Sequence, residues 1–283
     1  MAQRVNHRDI PAETAVAGIA RQRLMSAASH AHASVGLDRY SLAPGARLDL
    51  EVGPDQLAWF QVLQGRLTLE QSACKPPLDV ASLDDAHVCF LPPGFNGRLV
   101  AGEAVVLLVA VVPGALRLDP ALAGGGAALR IIDWKREPVL NSEHDARKRI
   151  YLVTPGLFGT TAIKGEMIIY PPGTEAANHH HEGAEHFMYV LAGSGTAWAN
   201  EVPMAVREGD LIWYADRERH YLKSDDAAEM RFVEFFVPGR YRTVWAPGAM
   251  VCTWSPTGRN IGGGAPAREI AHHRSDAAMP SDV

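Results

Sequence analysis

Between residues 179 and 220 the chain places five of its twelve histidines: His179, His180 and His181 in a row, His186 after a short polar segment, and His220 past a later turn. The residues around them are strand formers, as in HFMYVLAG, which begins at His186. In an extended strand residues two apart share a face, so His179 and His181 point to one side and His180 to the other. A turn over Glu182 to Glu185 returns the chain and brings His186 to that pair. The hairpin after Gly209 and Asp210 then delivers His220 as a fourth corner. Any one of these residues alone reads as an ordinary hydrogen-bonded histidine. Three or four imidazoles from adjoining strands of an apolar barrel are costly to bury unless they coordinate something. The expected site is one divalent transition metal per chain, held by His179, His181, His186 and His220. Nitrogen ligation disfavours calcium and magnesium and leaves Mn, Fe, Ni, Zn or Cu.

The elements that must position such a site are short strands. From Val35 onward apolar runs alternate with turn residues (LAWFQVLQGRLTLEQ, HVCFLPPGFNG, AVVLLVAVVPG), and the same grammar resumes after residue 150 (TTAIKGEMIIYPPG, HFMYVLAGSGTAWAN, EMRFVEFFVPG). Many short strands at regular spacing predict an all-β sandwich or barrel. A repeat half a chain long predicts a duplicated domain. The turns align the halves: APG at 43–45 with PPG at 171–173, VLQG at 62–65 with VLAG at 190–193, and FLPPGFNG at 90–97 with WYADRERH at 213–220. The expected organisation is an N-terminal arm over 1–34, a barrel over 35–115, a linker over 116–150, a second barrel over 151–245 and an irregular Gly/Pro-rich tail over 246–283. In the first barrel Ala58 and Gly97 stand where His186 and His220 stand in the second, so that half cannot repeat the site. Its expected role is packing, with its sheet as a subunit interface in a homo-oligomer.

Composition narrows the partners to small molecules. Twenty-seven basic and thirty-two acidic residues, without a Lys/Arg cluster, give no footprint for nucleic acid or an anionic membrane. The absence of an apolar run fit for a signal peptide or a bilayer span predicts a soluble cytoplasmic protein. Cys74, Cys89 and Cys252 are odd in number, with unrelated spacings and no CxxC, so neither a disulfide framework nor a thiolate metal site is expected.

The spacing of Gly173, His179-x-His181, His186 and Gly193 resembles the first cupin motif, with His186 where Glu is usual. Gly209, Ala215-x-Arg217 and His220 resemble the second, with Ala and Arg where Pro and Gly are usual. The resemblance implies a bicupin: two tandem cupin (double-stranded β-helix, jelly-roll) barrels over residues 35 to 245. The segment from Glu185 to Gly193 looks most like the (S)-ureidoglycine aminohydrolase group, whose metal, favoured to be manganese, sits in the C-terminal cupin. That group's ligand pattern falls on His180, Glu182, His186 and His220 without gaps, and on His179, His181, His186 and His220 with one residue inserted in the turn. The second register is preferred, because it uses imidazoles throughout and keeps Glu182 in the turn.

The same resemblance puts Phe232 and Phe236 where that group carries the Tyr and Lys that hold its substrate. With Met188 they imply an apolar pocket, and Glu234, sharing their parity, is the candidate general base. The function implied is a metal-dependent hydrolase or lyase acting on a small nitrogenous or hydroxy/keto acid, aminohydrolase-like but with a different substrate. An Fe(II)-dependent cupin dioxygenase and a non-catalytic small-ligand-binding cupin are the alternatives.

The first expected outcome is about one metal equivalent per chain by elemental analysis. His186→Ala and His220→Ala should each abolish stoichiometric metal, and His179→Ala or His181→Ala should weaken binding far more than His180→Ala or Glu182→Ala. Two equivalents per chain, or the reverse ranking, would contradict this assignment.

Overall fold

The computed structural model describes residues 2–26, 28–30, 33–71 and 81–274. Cys74 and the last residues of the expected tail lie outside them. The chain divides into two units, His7–Asp133 and, separately, Met1–Asn6 with Trp134–Val283. Among the described residues, no helix is long and apolar enough to cross a membrane.

The His7–Asp133 unit consists of a seven-stranded and a four-stranded antiparallel sheet. At the middle of the larger sheet the strands Gln56–Gln64 and Val105–Pro113 pair. Their alternate residues, among them Ala58, Phe60, Val62 and Leu107, enter one apolar core with Leu69 and Leu99 from the smaller sheet. Ala58 is therefore a core residue. Gly97 has no room for a side chain, since a Cβ there would sit 2.7 Å from the Phe95 ring. The interior where a second metal site would lie is occupied by hydrocarbon.

The other unit pairs a nine-stranded sheet with a five-stranded one. The larger runs Gln3–Asn6, Asp210–Tyr214, Glu185–Ala192, Met230–Val237, Lys164–Tyr170, Lys148–Val153, Leu140–Ser142, Thr253–Pro256, His273–Arg274. The smaller runs Val202–Arg207, Ser194–Ala199, His220–Ser224, His179–Glu182, Arg242–Trp245. Period-two alternation again supplies the core: Ile168 and Tyr170, Met188 and Val190, Ile212 and Tyr214 belong to one buried cluster with Phe232.

Three segments differ in form from their sequence reading. The stretch read as a linker holds the helical turns Ala115–Leu118 and Pro120–Gly124 and the strands Arg130–Asp133 and Leu140–Ser142. The strand Lys148–Val153 also begins within it. The arm supplies Gln3–Asn6, and the tail supplies Thr253–Pro256 and His273–Arg274, all to the nine-stranded sheet. Such segments are too polar and too rich in Gly and Pro to announce strands by themselves. They become strands because an existing sheet edge offers them hydrogen-bond partners.

The paired turns of the two halves share a steric cause. Gly65 and Gly193 have φ of +82° and +78°, and a Cβ would approach the Ala104 carbonyl oxygen to 2.2 Å and the Glu229 carbonyl oxygen to 2.4 Å. Gly193→Ala should therefore cost more than the ~1–2 kcal/mol of a left-handed residue alone, read as a lowered thermal midpoint. Gly65→Ala should do the same, and an unchanged midpoint in either would contradict the steric account.

Candidate metal centre

The strand His179–Glu182 runs between His220–Ser224 and Arg242–Trp245, with His179 directly opposite His220. Alternation sends His179 and His181 inward with ring centroids 4.9 Å apart, and His220 stands 4.6 Å from the first and 5.1 Å from the second. One potential ligand nitrogen from each of the three lies within 4.8 Å of the others. Nδ1 of His179 donates to the Ala177 carbonyl and Nδ1 of His220 to the Glu218 carbonyl, both at 2.8 Å. Nδ1 of His181 meets Thr243 Oγ1 at 3.2 Å. The two carbonyls put the proton on Nδ1 of His179 and His220 and leave their Nε2 lone pairs for the interior. Burial keeps the rings neutral, lowering His179 and His181 well below the usual histidine range and His220 to about 3. Neutral imidazoles with inward lone pairs suit a divalent transition metal.

His186, on the strand Glu185–Ala192, stands beside that close set and outside it. Its Nε2 is 2.9 Å from Glu234 Oε2 and its Nδ1 3.3 Å from His220 Nε2. Its ring stacks on Phe236 at 4.4 Å, and burial lowers its pKa to about 3. A neutral imidazole carries one N–H, and a carboxylate is its better acceptor. With that proton on Nε2, the Nδ1 of His186 and the Nε2 of His220 face each other as two lone pairs with no hydrogen between them. A cation satisfies that arrangement, so the residues present fit a metal.

His180 and Glu182 point elsewhere. His180 Nε2 lies 3.6 Å from Glu182 Oε1, and Glu182 accepts hydrogen bonds from Arg217 and Arg242, each at 3.0 Å. The Arg242 hydrogen bond holds that carboxyl below the usual range. Met188, Phe232, Glu234 and Phe236 line the cavity beside the imidazoles, with Phe236 stacked between His186 and Tyr241.

The opposite wall is polar, in contrast to the apolar pocket expected from Met188 and the two phenylalanines. Glu166 lies directly across the sheet from Glu234 and is paired with Arg149 at 3.1 Å and Lys164 at 3.2 Å. Lys164 Nζ also donates to Tyr241 Oη at 2.8 Å, and the Arg149 guanidinium sits 4.0 Å above the Trp254 ring. Burial raises the Glu166 pKa while Arg149 and Lys164 pull it back, and burial lowers that of Lys164. One signal for this wall was in the sequence: RKRIYLV and KGE place Arg147, Arg149 and Tyr151, and Lys164 and Glu166, at alternate positions. The cavity holds about 60 Å³, several times the ~10–15 Å³ needed for one water.

Residues 166–236 match the model of the cupin domain, Cupin_2. A mutant of Bacillus subtilis oxalate decarboxylase OxdC superimposes with a TM-score of 0.68 at 12% identity, covering 86% of this chain and 78% of that one. The fold is that of a bicupin. A second structure of the same decarboxylase, one concerned with its Mn(II) centres, gives 0.67 at 12% identity over the same shares. At such identity the likeness speaks of fold alone. Among curated proteins, Protein SchB of Streptomyces halstedii is 29% identical over 82 residues, which are 29% of this chain and 59% of that relative. The match thus spans less than two thirds of SchB.

The buried imidazoles give the metal-free barrel a pH dependence of known sign. The folded-state pKa values of His186 and His220, about 3, lie below the ordinary ~6.5 of an unfolded chain. Their neutral burial is without proton-linked cost above that value, and stability is lost as pH falls from it toward 3. Urea midpoints of metal-free protein should fall across that window, and His220→Gln should flatten the fall. A midpoint indifferent to pH there would contradict neutral burial.

Proposed function

We propose that this chain is a metal-dependent enzyme acting on a small organic acid in the cavity of its C-terminal cupin. The observation that supports this best is the convergence of three Nδ1-anchored imidazoles, His179, His181 and His220, on a cavity whose other wall carries Glu234, Glu166, Lys164 and Arg149. His186 is the candidate fourth ligand, from a strand of the nine-stranded sheet, its ring 5.0 Å from that of His220. Manganese is favoured by the aminohydrolase resemblance and by the Mn(II) centres of the decarboxylase that shares the fold. A bound divalent metal would act as a Lewis acid on a substrate oxygen.

Charge supports an acidic substrate. The cavity's Arg149 and Lys164 are balanced by Glu166 and Glu234, and Arg147 by Asp145 at 2.7 Å. All the proposed metal ligands are neutral. A divalent ion therefore adds two uncompensated positive charges among buried side chains, and an anionic substrate restores the balance. The class that fits is a small hydroxy, keto or nitrogenous acid. Glu234 accepts the His186 proton at 2.9 Å and borders the same space, which gives it the role of proton acceptor.

The experiment is a panel of two- to four-carbon hydroxy, keto and amino acids offered to the manganese-loaded protein, with products followed by NMR. One class should be consumed. Glu234→Gln should lower its turnover by roughly 100-fold or more while metal content stays unchanged. Full metal loading with no turnover across the panel would return the protein to a ligand-binding role, and consumption that requires iron and dioxygen would select an oxygenase.

A further inference from the structure

The C-terminal strand reaches this cavity through a directed hydrogen-bond chain. Nδ1 of His273 faces the Ala271 carbonyl at 3.0 Å, and a carbonyl can only accept, so the proton is on Nδ1. Nε2 of His273 is then an acceptor, and it lies 2.6 Å from Tyr151 Oη. Tyr151 therefore donates its hydroxyl proton to His273 and leaves its oxygen lone pairs for Arg149 Nη1, which donates to it at 3.2 Å. Arg149 Nη2 also lies 3.1 Å from Glu166 Oε1 as an ion pair, and neither Glu166 oxygen has a hydrogen-bond partner among the described residues. His273 is buried, and burial lowers its pKa, so the direction of the chain is fixed by one tautomer. The strand is held in place by its pairing with Trp254, whose ring packs under the same guanidinium.

Two buried donors on the lining of this cavity have no hydrogen-bond partner: Nε of Arg149 and Nε1 of Trp245, the latter beside His179 at a ring separation of 5.0 Å. Unpaired buried donors are costly. A ligand bearing acceptor oxygens at both ends would satisfy one near the imidazoles and the other near the far wall.

We propose that His273 is a positioning residue that holds Arg149, through Tyr151, as the receiver of an anionic end of the substrate, so that the C-terminal segment sets the site's selectivity for dicarboxylate-like acids. This rests on the acid-substrate reading above. Replacing His273 with Phe removes the acceptor, frees the Tyr151 hydroxyl to turn, and lets Arg149 rotate onto Glu166 alone. Replacing it with Gln keeps an acceptor oxygen within reach.

The test uses the full chain loaded with Mn(II), titrated calorimetrically with oxalate, malonate and acetate. The wild type should bind a dicarboxylate more tightly than acetate. His273→Phe should narrow that preference by about tenfold, the scale of one charge-assisted hydrogen bond, at unchanged metal content, and His273→Gln should restore it to within about threefold. Equal preference in His273→Phe and wild type, or no recovery in His273→Gln, would overturn the proposal. Nitrogen-15 NMR of the histidine rings reads the link without any anion: Tyr151→Phe should shift the Nε2 of His273, and an unmoved resonance would overturn the positioning role alone. A wild type that binds none of the three anions would instead overturn the acid-substrate reading, and the subsite with it.

Discussion

The C-terminal site depends on imidazoles held out of water. A buried histidine is inexpensive only when neutral, and a neutral ring has one proton and one lone pair to place. The chain places the protons by a local device: His179 and His220 each donate to the carbonyl two residues before them. That contact fixes the ring against its own strand, and the direct pairing of His179 with His220 then sets the two lone pairs in register. Aromatic rings complete the enclosure. Phe236 lies on His186, Tyr214 on His220 and Trp245 beside His179. The barrel thus turns acceptor lone pairs of His179 and His220 toward one cavity.

The far wall obeys a different economy, in which charge is buried only as part of a balanced set. Glu166, 1% exposed, would be untenable without Arg149 and Lys164, and those two would be untenable without it. The cross-strand pairing of Glu166 with Glu234 joins this set to the histidines, because Glu234 also accepts the hydrogen bond from His186 Nε2. The cavity is consequently one electrostatic unit from Tyr241 to His220. A change at either end is felt as a change in the protonation or orientation of the groups between.

Much of the imidazole side was legible in the sequence. The alternation of His179 and His181 and the return at Glu182 to Glu185 are local facts, each decided by residues within a few positions of one another. The opposite wall was not legible, for the converse reason. Tyr151 and His273 are 122 positions apart, and Lys164 and Tyr241 are 77 apart; nothing in either neighbourhood announces the partner. An inward-facing polar strand also has the same alternation as a solvent-facing one, so RKRIYLV reads as surface or linker until the sheet closes over it. The phenylalanines suggested a dry pocket because they were judged without the strands across from them.

The strand Gln3–Asn6 forms one edge of the sheet that carries His186, and its partner is Asp210–Tyr214. Asn6 donates to the fully buried Asp210 at 2.7 Å, across 204 positions of sequence. During synthesis at roughly 5–20 residues per second, that first strand waits on the order of 10–40 seconds for its partner to be made. Throughout that time it must remain hydrated and unpaired while the intervening unit folds. The strand Gln3–Asn6 is thus made well before the strand it pairs with, and the sheet that carries His186 keeps an open edge until the two meet.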